Sequence, residues 1–172
     1  MAPIDQTAEP WTTAGGYPAD AAEVGDLAAA RRALLFAVAG RLYGCEIETV
    51  REILPVRRCT RLPGAPPFVL GLINLRGTVV TVVDLALRLG VGRGAAAEGS
   101  IVVVDLGTRV AGLAVDEVRD VVPLRPDEMD AGGAAGADGY GALPDAVRGL
   151  ARVGEASAVL LDVQSIVRQV LV

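Results

Sequence analysis

Residues 33–172 read as a mainly β protein built from two related β-units around a shared core, and two observations carry this. β-Branched residues gather in short runs separated by Gly and Pro, and two stretches of the chain repeat one another. The first repeat aligns GCEIETVREILP (residues 44–55) without a gap to GLAVDEVRDVVP (residues 112–123). It places Gly44 on Gly112, Val50 on Val118, Arg51 on Arg119 and Pro55 on Pro123, with Glu48 and Glu52 facing Asp116 and Asp120. In the second, Gly71 and Asp84 stand thirteen apart, as do Gly149 and Asp162, and the segments close on VVDL and LLDV. The offset grows from 68 to 78 residues, and the ten extra residues fall in Asp130 to Gly141, DAGGAAGADGYG, whose Gly and Ala content is that of a surface insertion. Two colinear blocks among Val-rich strands are better explained by duplication than by chance. A two-fold-like pair of small barrels with a cleft between the lobes follows.

Residues 1–32 are rich in Ala, Gly, Pro, Asp and Glu without strand alternation, which predicts a flexible tail with at most a short helix over 19–32. Strands are expected over 33–38 and 44–53, with a turn at Ala39-Gly40. Pro55, Pro63, Pro66 and Pro67 remove backbone donors, so the next stretch is a loop. Residues 68–75 and 78–83 flank Arg76-Gly77 as a hairpin. This closes a first β-unit at about residue 90. A Gly-rich connector over 91–98 leads to the second unit, about 99–167, and a short C-terminal helix. Asp84 and Asp162 end strands and are expected to cap a following helical turn. The nominal GxGxxA at Gly90 to Ala95 follows no clean strand and opens no long helix, so it reads as the connector and not as a dinucleotide site.

Composition excludes much chemistry. The chain has no His and no Lys; all 16 basic residues are Arg, against 21 acidic ones, for a net charge of -5. There is no imidazole base, no Ser-His triad, no P-loop Lys and no Schiff-base amine. What remains is carboxylate chemistry from Glu46, Glu48, Glu52, Asp84, Asp116, Asp120 or Asp162, and alternating carboxylates on strands more often mark solvent faces. An acidic chain is repelled by phosphate backbones, so Arg57, Arg58 and Arg61 read as a solvated cluster near a partner surface and nucleic-acid binding is not expected. Cys45 and Cys59, fourteen apart with no second pair, fit neither a zinc site nor a CxxC motif; two reduced thiols, at least one buried, are expected. No apolar run approaches the roughly 18 residues that span a bilayer, and the first thirty residues lack the pattern of a signal peptide, so a cytoplasmic location is expected.

With these readings in place, the segment RLPGAPPFVLGLINLRGTVVTVVDL, Arg61 to Leu85, resembles the most characteristic run of the CheW-like family of chemotaxis coupling proteins: a Pro-containing loop, a Gly, an NLRG turn and a closing DL. The resemblance extends over 34–53, 107–122 and 148–163, hence over nearly everything after residue 32. It implies two small five-stranded SH3-like barrels sharing a core, and a non-catalytic adaptor without cofactor or metal. It also implies two partners, the cytoplasmic signalling tip of methyl-accepting chemoreceptors and the regulatory domain of a chemotaxis histidine kinase, in arrays beneath the inner membrane and without membrane insertion. Receptor binding in the family is similar to a helix-in-groove mode. By position this implicates Val50, Val118, Ile101 and Val102, with Glu52 and Arg76 on the rim and Asp120 as the second unit's equivalent of Glu52. Thr81 stands where many members have Pro, which returns a backbone donor to that strand.

Physical chemistry bears on the same turn. Gly77 takes positive φ at little cost and leaves Arg76 at the tip, where its planar fork suits a carboxylate or backbone carbonyls. Such a group serves protein recognition, or pairs within the chain with Glu52 or Asp84 and fixes the barrel wall; both readings stand. Asn74 is expected to shape the turn through its side-chain amide. The competing reading of the fold, a carboxylate-dependent hydrolase or a small-ligand-binding barrel pair, needs acids that converge in the cleft.

Overall fold

The computed structural model describes residues 31–92, 98–130, 143–168 and 170. The tail over 1–30, most of the connector and the insertion after Asp130 lie outside the described residues.

Eleven strands and two short helices alternate along the described chain. The first half holds β1 (Arg32–Val38), β2 (Arg41–Glu46), β3 (Val50–Pro55), β4 (Val69–Leu75), β5 (Thr78–Asp84) and α1 (Leu85–Leu89). The second holds β6 (Ser100–Asp105), β7 (Val110–Val115), β8 (Glu117–Pro123), β9 (Met129–Asp130), β10 (Val147–Val153), β11 (Ala156–Leu161) and α2 (Val163–Arg168). They form two sheets, a six-stranded one in the order β8-β1-β2-β11-β10-β9 and a five-stranded one in the order β3-β6-β7-β5-β4. The first sheet exceeds the expected five strands because Met129 and Asp130 pair with Ala151 and Leu150.

Each sheet draws on both halves of the chain. The β1-β2 hairpin of the first half sits between β8 and the β10-β11 hairpin of the second, and β6-β7 of the second half sits between β3 and the β4-β5 hairpin of the first. The halves are joined by the antiparallel pairs β1 with β8 and β3 with β6, and by two parallel pairings, β11 with β2 through Val159↔Tyr43 and β5 with β7 through Val82↔Gly112. The repeated glycines belong to these joints. A Cβ on Gly112 would stand 2.8 Å from Ile101 Cγ2, and one on Gly44 would stand 3.1 Å from Leu35 Cδ2 and 3.2 Å from Leu160 Cδ2. Both positions need the smallest residue because a strand passes on either side.

The single strand expected over 44–53 is instead two strands in two sheets. A 3-10 turn at Ile47–Thr49 separates them, with the Thr49 hydroxyl donating to the Glu46 carbonyl at 2.7 Å. The break is required, because β2 pairs with β1 in one sheet while β3 pairs with β6 in the other. The largest core cluster fills the space between the sheets with side chains of both halves, including Phe36, Tyr43, Val83, Leu85, Val102, Leu113, Val159 and Ile166. Burial on this scale is the dominant stabilising contribution, at about 25 cal/mol per Å² of apolar surface.

Both helices start as their capping residues predict. The Asp84 carboxylate accepts the Leu87 amide at 3.1 Å, and Asp162 accepts the amides of Gln164 at 3.0 Å and Ser165 at 3.4 Å. Gly90, at φ 68°, terminates the five-residue α1, so the Gly-rich motif ends a helix where a dinucleotide site would have to begin one.

Candidate functional site

The β4-β5 hairpin closes through two residues that both have positive φ, Arg76 at 50° and Gly77 at 85°. This is a type I′ turn, whose twist matches that of the flanking strands. The glycine accepts this conformation freely, whereas for an arginine it is strained. The strain has local support: the Asn74 side-chain oxygen accepts the Gly77 amide at 2.9 Å, and Leu75 and Thr78 pair directly across the turn.

Arg76 then reaches Glu52 with both prongs of its guanidinium, Nη1 to Oε1 at 3.2 Å and Nη2 to Oε2 at 3.3 Å. Glu52 lies on β3 and Arg76 at the end of β4, which are the two edges of the five-stranded sheet. The pair therefore clasps edge to edge. It is unevenly buried: the Arg76 side chain is 77% exposed and that of Glu52 only 18%. One face of the guanidinium is committed to the chain and the remainder stays in solvent. Asp84, the other partner considered from sequence, is buried at the start of α1.

A backbone bridge closes the same two edges. Beyond β3 the chain crosses to β4, where the Thr60 amide donates to the Leu72 carbonyl and the Leu72 amide to the Thr60 carbonyl, both at 2.8 Å. The crossing is possible only beside a glycine. Gly71 has φ 138°, and a Cβ there would lie 2.2 Å from the Thr60 carbonyl oxygen. The Gly before the NLRG turn thus holds the barrel shut.

The other predicted site residues are placed differently. Ile101 and Val102, expected on a binding surface, are 1% and 0% exposed and belong to the two cores. This corrects the sequence-based placement: β6 is an interior strand, paired on both edges and covered on both faces, so neither side chain can meet a partner. Val50 and Val118 are half-buried and pack against the main core. Asp120 is exposed, and its carboxylate accepts the amide of Val121 at 2.7 Å. The second unit has no copy of the clasp, since its hairpin turns through Gly154-Glu155 and offers no guanidinium to Asp120. Of the predicted set, only Glu52, Arg76, Asn74 and Gly77 come together.

The sequence reading missed two exposed apolar side chains on edge strands. Ile53 and Val121 occupy equivalent places in the repeat and are 44% and 40% exposed, on β3 and β8 at the edges of their sheets. Both strands carry a register shift just before these residues, between Val50 and Glu52 on β3 and between Val118 and Val121 on β8. Such bulges re-aim side chains. The signal available in sequence was the apolar residue beside each aligned acid. A groove of about 700 Å³ lies next to the clasp, lined by Arg51, Leu62, Thr78, Val79 and Asp105 among others; Val79 is its most exposed apolar side chain.

Several other charged groups pair within the fold. Glu46 pairs with Arg31 and with Arg148 at 3.2 Å, Arg148 also meets Asp162 at 3.5 Å, and Asp116 accepts the Ala39 amide at 2.7 Å. No three metal-ligating side chains cluster among the described residues. Burial pushes the Cys45 thiol up to about 12, and burial also raises that of Cys59, partly opposed by the positive charge of Arg57. Neither is an activated nucleophile. No helix among the described residues is long and apolar enough to cross a membrane.

A family model described as the CheW-like domain matches residues 32–171, which includes both sheets, the clasp and the bridge. The chain belongs to the CheW-like domain family. Among CheW proteins, the chemotaxis protein CheW of Klebsiella aerogenes is 30% identical over 134 residues, covering 77% of this chain and 79% of that relative. The chemotaxis protein CheW of Rhizobium meliloti is 41% identical over 98 residues, covering 55% and 61% respectively. The crystal structure of the scaffolding protein TtCheW from Thermoanaerobacter tengcongensis superposes with a TM-score of 0.68 at 27% identity, over 80% of this chain and 87% of that one. The CheW-like fold thus accounts for the two sheets and their shared core.

Proposed function

We propose that the protein is a non-catalytic chemotaxis adaptor that couples the cytoplasmic signalling tip of chemoreceptors to the regulatory domain of a histidine kinase. It acts on the cytoplasmic side, beside the membrane only through its partners, and needs no cofactor. Membership of the CheW-like family supports this reading, as do relatives named as chemotaxis proteins and a structural neighbour named as a scaffold.

The observation that carries it at the level of residues is the Arg76–Glu52 clasp. Its guanidinium is held in place by a bidentate contact while 77% of the side chain faces solvent. A pre-oriented, exposed arginine is a low-entropy anchor for a partner's carboxylate or backbone carbonyls. Ile53 adds exposed apolar area on the same strand as Glu52. The hydrolase alternative is disfavoured because Glu46 and Asp162 are both neutralised by Arg148, while Glu52, Asp84 and Asp116 are engaged in a pair or a cap elsewhere in the fold.

The test is a calorimetric titration against a kinase regulatory domain and, separately, a receptor tip fragment. The expected result is binding to both, with Arg76→Ala weakening one of them about tenfold while circular dichroism stays unchanged. A charge exchange, Arg76→Glu with Glu52→Arg, should restore stability without restoring that affinity. Absence of binding to both partners by the folded wild type would refute the adaptor reading.

A further inference from the structure

We propose that the loop from β3 to β4 is a docking surface for a carboxylate-rich segment of a partner protein, gripped by Arg57, Arg58 and Arg61. This surface is separate from the clasp and does not depend on which proteins meet Arg76.

The three arginines are exposed, and among the described residues none of them forms an ion pair. Arg58 and Arg61 line a hollow of about 450 Å³ with Cys59 and Thr60, and Arg57 is the exposed residue next to Arg58. The loop is not free to scatter them. The Thr60–Leu72 bridge ties it to β4, the Val56 amide donates to the Gly99 carbonyl at 3.0 Å, and Cys59 packs inward against the second core cluster. With Cys59 turned inward, the neighbouring guanidinium groups stand at the rim. Each offers a planar fork that matches a carboxylate with two parallel hydrogen bonds.

The internal repeat shows that the fold does not require this charge. In the other sheet the equivalent crossing is the pairing of Asp130 with Leu150, the counterpart of Thr60 with Leu72. On the 68-residue offset of the repeat, Arg57 falls on Arg125, Arg58 on Pro126 and Arg61 on Met129. The crossing is thus built once with three arginines and once with one, so Arg58 and Arg61 serve something other than closure. They also stand against a net charge of -5, which makes the loop a local positive site on an acidic molecule. That balance selects the occupant. A membrane surface or a nucleic acid presents a broad anionic field to the whole acidic molecule and asks for a larger cluster of cations, whereas a short acidic segment meets only the loop.

The test is fluorescence anisotropy of the full chain with a labelled glutamate-rich peptide and its glutamine counterpart. The glutamate peptide should bind, the glutamine peptide should not, and affinity should fall with salt. Arg57→Glu with Arg58→Glu should weaken it about tenfold or more and create affinity for an arginine-rich peptide. If that variant does not fold by circular dichroism, Arg57→Gln with Arg58→Gln carries the same comparison with a smaller loss. Equal binding of both peptides, or no loss in either variant, would overturn the proposal. So would phosphatidylserine vesicles or duplex DNA bound more tightly than the peptide and released by the reversal, or self-association that the reversal abolishes.

Discussion

Replacing Gly71 by Ala is the sharpest test of barrel closure. The added Cβ would fall 2.2 Å from the Thr60 carbonyl oxygen and 2.7 Å from its carbon, and the φ of 138° is one that alanine avoids. The loop must therefore separate from β4, and the two 2.8 Å backbone hydrogen bonds between Thr60 and Leu72 are lost. Each contributes about 0.5–1.5 kcal/mol. Residual backbone strain adds about 1–3 kcal/mol. The expected loss is about 2–6 kcal/mol, a large part of the total of about 5–15 kcal/mol for a domain. At about 2–4 °C per kcal/mol for a chain of this size, the melting temperature should fall by about 4–24 °C. Thermal and urea unfolding measure this, and hydrogen exchange at the Thr60 and Leu72 amides locates it. A loss under about 0.5 kcal/mol, with both amides still protected, would refute the reasoning.

Three further outcomes follow from other parts of the structure. A double-mutant cycle of Arg76→Ala and Glu52→Gln should give a coupling of about 0.5–1 kcal/mol in urea unfolding, small because Arg76 is mostly exposed, and it should shrink in high salt. Asp84→Ala should destabilise by about 1–2 kcal/mol and Asp84→Asn by less, since the amide oxygen still accepts from Leu87; equal losses in chemical denaturation would contradict the cap. Cys45 is neutral in the fold and its pKa is raised from 9.0 to about 12, so its contribution to stability is intact below pH 9 and is lost as pH rises toward 12. Cys45→Ala should flatten the alkaline fall in melting temperature across that window, and an unchanged slope would argue against it.

The sequence made the strand-rich class, the duplication and the two caps legible because each rests on local chemistry. Runs of Val and Ile at strand length, Gly44 on Gly112, and Asp84 and Asp162 before short helices are visible without tertiary information. Which strand meets which is a non-local choice, so the division of the 44–53 stretch between two sheets was not visible. The burial of Ile101 and Val102 was missed for the same reason: an interior strand and a one-sided strand of Val and Ile look alike until their neighbours are known. At the clasp, an arginine at the tip of a turn was readable from Leu75-Arg76-Gly77, but its own positive φ and its choice of Glu52 over Asp84 depended on the closed barrel. The aim of Ile53 and Val121 depended on bulges that no residue type announces.

The exchange of hairpins between the halves has a consequence for how the molecule is made. When residues 1–92 have left the ribosome, β1-β2 still lacks β8 and β11, and β5 lacks β7. The five-stranded sheet cannot be completed until β7 emerges, nor the six-stranded one until β11 does, so the first half waits with its edges open and its apolar faces uncovered, a state that invites chaperones. Contacts that span most of the chain give a high contact order and slow folding. The arrangement is that of a domain-swapped dimer whose two copies have been joined end to end, and cutting the chain in the connector should yield two fragments that are each unfolded alone and that recover the native fold only when mixed.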